Sequence, residues 1–227
     1  MSTYEDGTIY KFSEKPKNPD SNLASMGIYI FNRKKLAEYL TADENTPGSS
    51  NDFGKNLIPN MLAAGEKMFA YPFEGYWKDV GTISSLWEAN MDLLGENPDL
   101  NLGDESWRIY ARHMALSPQY VGKDAVIENS NISEGCEIYG TVRNCIVGAG
   151  VKVEAGAVVT DSVLMGDTVI GAGATVAYSI IATGVTVGKN AVIGEDKATA
   201  KGIAVIGEDI TIDDGAKVEA GAMVPEV

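Results

Sequence analysis

From Val121 to the end of the chain, aliphatic residues recur at intervals near six, and few folds tolerate that period. The clearest run is Ile206-Gly-Glu, Ile212-Asp-Asp, Val218-Glu-Ala and Val224. An earlier run has Val147-Gly-Ala, Val153-Glu-Ala and Val159. After a slip of one residue come Ile170-Gly-Ala and Val176, and after a second slip Val187-Gly-Lys and Ile193-Gly-Glu. An amphipathic helix repeats at about 3.6 residues and a half-buried strand at about 2, so this spacing fits neither. It fits a coil with three flat faces, one hexapeptide to a face, in which each aliphatic points inward and stacks on its counterpart one coil away. Glycine, Asn and Asp suit the corners, where the backbone visits the left-handed region. At an inter-strand spacing of about 4.8 Å, residues 121–227 make about six coils of parallel β-helix. The period fails between Lys197 and Ala204, which predicts a loop or short insertion there.

The first 94 residues have a different texture and read as mixed α/β. Thr8–Ser13 alternates as a short strand after the Asp6-Gly7 turn signal. Met26–Phe31 reads as a second, more apolar strand, Arg33–Leu40 as a helix and Thr41–Ser50 as a polar loop. Phe53–Ala64 is helical in outline, with Pro59 at a kink or break. Met68–Phe73 reads as a third strand. Thr82 then caps a helix whose buried face carries Ile83, Leu86, Trp87, Asn90, Met91 and Leu94, and Gly95 and Pro98 end it. Residues 95–120 have no clean period and read as a linker, giving three segments: 1–94, 95–120 and 121–227.

Charge and composition remove several function classes. The net charge of −14 opposes nucleic-acid binding and an anionic membrane surface. It leaves room for a small phosphorylated ligand, because a few placed lysines override a global field. There is no run of eighteen apolar residues to form a membrane span, and the polar Met1–Tyr10 does not read as a signal peptide. Cys136 and Cys145 are too few for a disulfide framework and read as small buried apolar residues of a cytoplasmic protein. Neither a P-loop nor a GxGxxG turn occurs.

Four motifs precede the repeat in a fixed order: Phe12-Ser-Glu-Lys-Pro16, Leu23-Ala-Ser-Met-Gly27, Asn51-Asp-Phe-Gly54 and Tyr76-Trp-Lys-Asp-Val-Gly-Thr82. Together with the hexapeptides they resemble the glucose-1-phosphate adenylyltransferases (ADP-glucose pyrophosphorylases) of bacterial glycogen synthesis. The resemblance runs over essentially the whole chain. It implies an α/β, Rossmann-like nucleotidyltransferase domain, here partial, followed by a left-handed parallel β-helix. It also implies a reaction of ATP with glucose 1-phosphate to give ADP-glucose and diphosphate, with Mg²⁺ neutralising charge. The family is allosteric and commonly tetrameric, so a homo- or hetero-tetramer is expected.

The same resemblance assigns roles. Lys15 takes the sugar phosphate as a point charge and Glu14 accepts sugar hydroxyls. Ser25 bonds the sugar. Asp52 and Phe53 form an acceptor beside an apolar wall, although Asp52 is equally well placed as a helix N-cap. Trp77 borders the glucose pocket, or packs in the core. Asp79, in Trp-Lys-Asp-Val-Gly, is the expected catalytic carboxylate and Mg²⁺ ligand; hard oxygen donors and few protein contacts suit that ion.

Two family features are missing from these 227 residues: the Gly-Gly-x-Gly-Thr-Arg-Leu segment that cradles ATP phosphates, and a second metal aspartate. The expectation is therefore a C-terminal portion of the enzyme, holding the sugar-phosphate half of the site and inactive alone. Three other readings compete. A non-catalytic regulatory paralogue would share the motifs. A related sugar nucleotidyltransferase using UTP or another sugar would differ only in the absent half. A hexapeptide acyltransferase would place a catalytic histidine between coils, whereas the single histidine, His113, lies before the repeats.

Overall fold

The structure, a computed structural model, describes residues 1–110 and 115–225. It contains two compact units, Met1–Trp77 and Lys78–Val227. His113, on which the acyltransferase reading turns, lies outside the described residues.

The second unit is built on the expected β-helix. Its strands form three parallel sheets of six strands each, and each inner strand bonds to the one a coil above and a coil below. One sheet stacks Tyr120–Val121, Glu137–Ile138, Lys152–Val153, Val169–Ile170, Thr186–Val187 and Thr211–Ile212. The next stacks Val126–Glu128, Thr141–Arg143, Val158–Thr160, Thr175–Ala177, Val192–Gly194 and Lys217–Val218. The third stacks Asn131–Ile132, Ile146–Val147, Val163–Leu164, Ser179–Ile181, Ala204–Ile206 and Met223–Val224. The inward ladder is the one the period predicts. Val147, Val153, Val159, Ile170, Val176, Val187, Ile193 and Ile206 are all at most 1 % exposed.

The slips in the period are corners. Val158 pairs with Thr175, so a regular coil takes seventeen residues where three hexapeptides would take eighteen. The short corner lies between the second and third faces. Asn129, Asn144, Asp161 and Tyr178 sit there in successive coils with φ between 41° and 52°. One left-handed residue turns the chain within five residues, from Val159 to Leu164, where other faces take six. Asn and Asp accept that conformation more readily than other side chains. Asn129 Nδ2 also donates to Asn144 Oδ1 of the next coil at 2.9 Å. Three coils depart from seventeen, the last of them with eighteen residues between Val205 and its partner Met223. Val126 pairs with Thr141 because only Tyr139 and Gly140 separate the strands at one corner. Ser179 pairs with Ala204 because residues 195–203 form an insertion. That insertion is the break expected from the sequence, and Ala204 itself already belongs to the strand.

Both cysteines are buried in this core and neither is in a disulfide. Desolvation pushes the Cys145 thiol up to about 12 and raises that of Cys136 as well. Both therefore behave as small apolar residues.

The same unit carries a helix, Ile83–Met91, called α3 below. Thr82 caps it as predicted: its Oγ1 accepts from Ser85 N at 3.1 Å, and Ser85 Oγ accepts from Thr82 N at 3.1 Å. Trp87 is buried on the outer face of the third sheet with Val163, Ile180 and Ile203. Ile83, Leu86 and Met91 pack around that group, as the helical spacing implies, but the helix ends at Met91, before Gly95, so Leu94 falls beyond it. Trp87 Nε1 donates to the Asp161 carbonyl at 2.8 Å, and the Tyr178 ring meets the indole edge-on at 5.0 Å. Lys197, from the insertion, places Nζ 4.5 Å from the centre of the Trp87 ring. Among the described residues, no helix is long and apolar enough to cross a membrane.

In the first unit, β1 (Ser2–Thr3) pairs antiparallel with β2 (Ile9–Lys11) around a reversal at Gly7. Helix α1 (Arg33–Glu44) is capped by Asn32, and a π-turn, Phe53–Leu57, leads into α2 (Ile58–Ala63). Pro59 sits in the first turn of α2, directly after the π-turn gives way to it at Ile58, which is the break expected there. Ile9, Leu57, Ile58 and Met61 are the buried apolar residues of this unit.

Three expectations fail here. The polar loop begins later than Thr41, because α1 continues to Glu44 with Asp43 buried and accepting from Ser49 Oγ at 2.9 Å. Met26–Phe31 is not a strand, and Met68–Phe73 contributes only a single bridge between Phe69 and Thr8. Their composition favours strands, but a strand also needs a neighbour for its peptide groups. Ile28 and Ile30 are 74 % and 101 % exposed, so no layer covers them among the described residues.

Replacing Trp87 with alanine removes the buried ring, the bond to Asp161 and the Lys197 contact together. The expected cost is about 3–5 kcal/mol, read by urea unfolding. Hydrogen exchange should show α3 losing protection while the strands of the β-helix keep theirs.

Candidate functional site

Four of the predicted site residues meet in one cleft of about 710 Å³ in the first unit. Glu14, Ser25, Asp52 and Phe53 line it, with Gly27, Tyr29 and Phe31 among their neighbours. The wall is aromatic. Tyr29 and Phe53 stack with an interplanar angle of 6° and centroids 5.9 Å apart, and Phe31 lies 5.9 Å from both. Such a surface suits the apolar face of a sugar ring, while hydroxyls and carboxylates at its edge suit the sugar's own hydroxyls.

The polar edge is set by local bonds. Ser25 Oγ lies 2.8 Å from Tyr29 Oη and accepts from Gly27 N at 3.2 Å, so a ring hydroxyl and a backbone amide fix its rotamer. Sequence reasoning misses Tyr29, which looks like one more apolar strand residue. Its hydroxyl bond with a serine four residues earlier is visible only once the segment is seen not to be a strand. Asp52 caps the π-turn, with Oδ1 accepting from Lys55 N at 2.7 Å. Among the described residues its second oxygen has no hydrogen bond, so the capping role and a binding role are compatible. Glu14 reaches the same place: a Cβ built on Gly54 would fall against its Oε2, with its Cδ at 3.0 Å and Asp52 Oδ1 at 3.4 Å.

Three expected residues, Lys15, Trp77 and Asp79, are not among the lining of the cleft. Lys15 is exposed, with φ at 41° directly before Pro16. That is an uncommon backbone for a lysine, of the kind that clusters at binding sites. Trp77 is 44 % exposed and closes the first unit.

Asp79 belongs to the second unit, on the turn that leads into α3. Its Oδ1 accepts from Gly81 N at 2.9 Å. The turn is held from both sides. Ahead of it, Lys78 pairs with Asp92 at 2.7 Å and Glu88 at 3.5 Å, both near the C-terminal end of α3; behind it stands the Thr82 cap. The hydrogen bond to Asp92 raises the Lys78 pKa. Among the described residues, no group of three or more His, Cys, Asp or Glu could hold a metal. Asp79 thus offers one hard oxygen donor, which suits an ion that takes one or two carboxylates and completes its shell with phosphates and water.

Comparison with known proteins agrees with the two textures of the chain. Residues 1–96 match the nucleotidyl transferase family and residues 116–212 match the GlmU-like C-terminal hexapeptide family. The chain is thus a nucleotidyltransferase domain joined to a left-handed hexapeptide β-helix. Along its whole length it is homologous to part of curated glucose-1-phosphate adenylyltransferases. It is 45 % identical to the enzyme of that name from Acetivibrio thermocellus over 99 % of this chain and 55 % of the relative. The Bacillus cereus enzyme is 49 % identical over 100 % of this chain and 54 % of the relative. A Clostridium botulinum enzyme is 58 % identical over 72 % of this chain and 42 % of the relative. The chain spans about half the length of the curated relatives it matches. Nucleotidyltransferases of this family use a divalent metal.

The Lys78–Asp92 pair gives a pH signature. A lysine whose folded pKa is raised contributes stability that is complete below its unfolded pKa, near 10.5, and that fades as pH rises through the folded value. Lys78→Met should therefore melt earlier than the parent chain at pH 8, with the gap narrowing above about pH 10.5. Melting curves of both forms between about pH 8 and 11.5 check this.

Proposed function

We propose that this chain holds the glucose 1-phosphate half of an adenylyltransferase site. The reaction it serves is ATP plus glucose 1-phosphate to ADP-glucose and diphosphate, in glycogen synthesis. The observation that carries this reading is the cleft itself, where two carboxylates, a serine hydroxyl and a stacked aromatic wall converge from three separated segments of the sequence. Each matches a sugar's needs: acceptors for hydroxyls and a flat apolar surface for the ring.

In this reading Glu14 and Asp52 accept sugar hydroxyls, Ser25 and Tyr29 bond the ring's polar edge, and Phe53 and Trp77 border it. Lys15 neutralises the sugar phosphate. A phosphate oxygen of the sugar attacks the α-phosphorus of ATP; a new P–O bond forms and the bond to the leaving diphosphate breaks. Mg²⁺, held in part by Asp79, supplies charge neutralisation when bound. The residues of this chain orient the sugar phosphate; the ATP phosphates would be cradled by a segment these 227 residues lack. The uncovered Ile28 and Ile30 support that division, because exposed apolar residues of this kind mark a surface that another segment covers. The β-helix serves assembly, and a cytoplasmic homo- or hetero-tetramer is the form this reading expects.

Calorimetry of glucose 1-phosphate against this chain tests the first step, and binding that a Lys15→Ala change weakens roughly tenfold or more supports it. In the enzyme completed with the nucleotide-binding half of a relative, Asp79→Asn should lower kcat by a factor of roughly 100 or more. It should do so with little change in KM for the sugar phosphate. Near-normal turnover would take Asp79 out of the metal role.

A further inference from the structure

We propose that Gly54 is a positioning residue whose missing side chain is the seat of the Glu14 carboxylate. The proposal rests on the reading of the cleft as a sugar-phosphate site and adds a residue to it. Gly54 is buried, in the first turn of the π-turn that Asp52 caps. Its φ lies outside the left-handed region, unlike those of Gly7, Gly27 or Gly48, so the backbone does not ask for glycine there. In a helical turn alanine is the better residue, since glycine loses more backbone freedom on folding.

What forbids a methyl group is the site. A Cβ at this position would overlap Glu14 Oε2 and press on its Cδ at 3.0 Å, while Asp52 Oδ1 at 3.4 Å is an ordinary contact. The obstructing group is the exposed end of a flexible side chain, so the chain can fold with alanine here by turning Glu14 away. The cost then falls on ligand binding and not on stability. Glycine at 54 lets the Glu14 carboxylate lie against a helix start beside Asp52, which sets the spacing of two acceptors. Sugars that present two hydroxyls at that spacing are the substrates such a seat selects.

The test uses this chain with glucose 1-phosphate as probe. Gly54→Ala should melt at the same temperature or a few degrees higher, and bind glucose 1-phosphate roughly ten- to a hundredfold more weakly. In a Glu14→Ala background the Gly54→Ala change should add nothing, because no carboxylate remains to be displaced. The ¹³Cδ signal of Glu14 should move between the parent chain and the Gly54→Ala variant, while that of Glu38, on α1, stays still. Unchanged affinity overturns the seat. So does an equal loss in the Glu14→Ala background, which would mean a general disturbance of the turn, and so does a marked fall in melting temperature. If the parent chain binds no glucose 1-phosphate, the sugar-phosphate reading fails, and the seat still stands or falls on the Glu14 signal.

Discussion

The stacked aliphatic ladder inside the three-faced coil is the constraint on which the second unit depends. Each inward residue is covered by its counterpart a coil above and below, and each strand bonds to the same two neighbours. Core and hydrogen-bond ladder are therefore repeated by one short rule. The outer faces and corners are freed by this, since the interior already fixes the backbone. That is why the corners can be varied: a single Asn, Asp or even Tyr in the left-handed region shortens one turn, a Tyr-Gly pair shortens another, and residues 195–203 lengthen a third without disturbing the ladder.

Those variations make the mount for α3. Tyr178 is a costly residue at a left-handed corner, where Asn or Asp occupies the equivalent place in three other coils. Its strain is offset by the edge-on contact with Trp87, while the carbonyl of Asp161, one coil earlier at the same corner, takes the indole N–H. The insertion then brings the Lys197 ammonium over the same ring. Helix, corner and insertion thus close on one tryptophan. Asp79 hangs on the turn just before that helix, with Lys78 tied back to Asp92. The β-helix has no candidate catalytic group of its own among the described residues, yet through Trp87 it fixes the helix on which the proposed metal carboxylate depends.

How much of this is legible in the sequence follows from how local each signal is. The six-residue period, the Thr82 cap, the face of α3 and the break near Lys197 all rest on short-range patterns, and all are present in the structure. The strands expected over Met26–Phe31 and Met68–Phe73 rest on composition, and strand composition is only half of a strand. Their neighbours are distant in sequence and nothing local reports whether they exist. Pro59 is expected at a kink or break, and it stands where the π-turn gives way to α2. Of the site, Glu14, Ser25, Asp52 and Phe53 are legible through their motifs, and the fold brings these four together. Tyr29 is hidden by the strand that is not there.

Asp52 and Gly54 show why motif and physics must be read together. Seen alone, Asp-Phe-Gly at a helix start is an N-cap followed by a poor helix former, and the glycine looks like a defect. With Glu14 in view, the defect has a use: the turn gives up helix propensity of about 1 kcal/mol, the usual difference between glycine and alanine. In return the protein holds a carboxylate against the start of a helix, where the exposed N–H groups and the helix dipole favour negative charge. A second carboxylate, Asp52, already occupies that start. On the proposed reading of Gly54, the local rules of helix formation break there because binding, not folding, sets what that position must be.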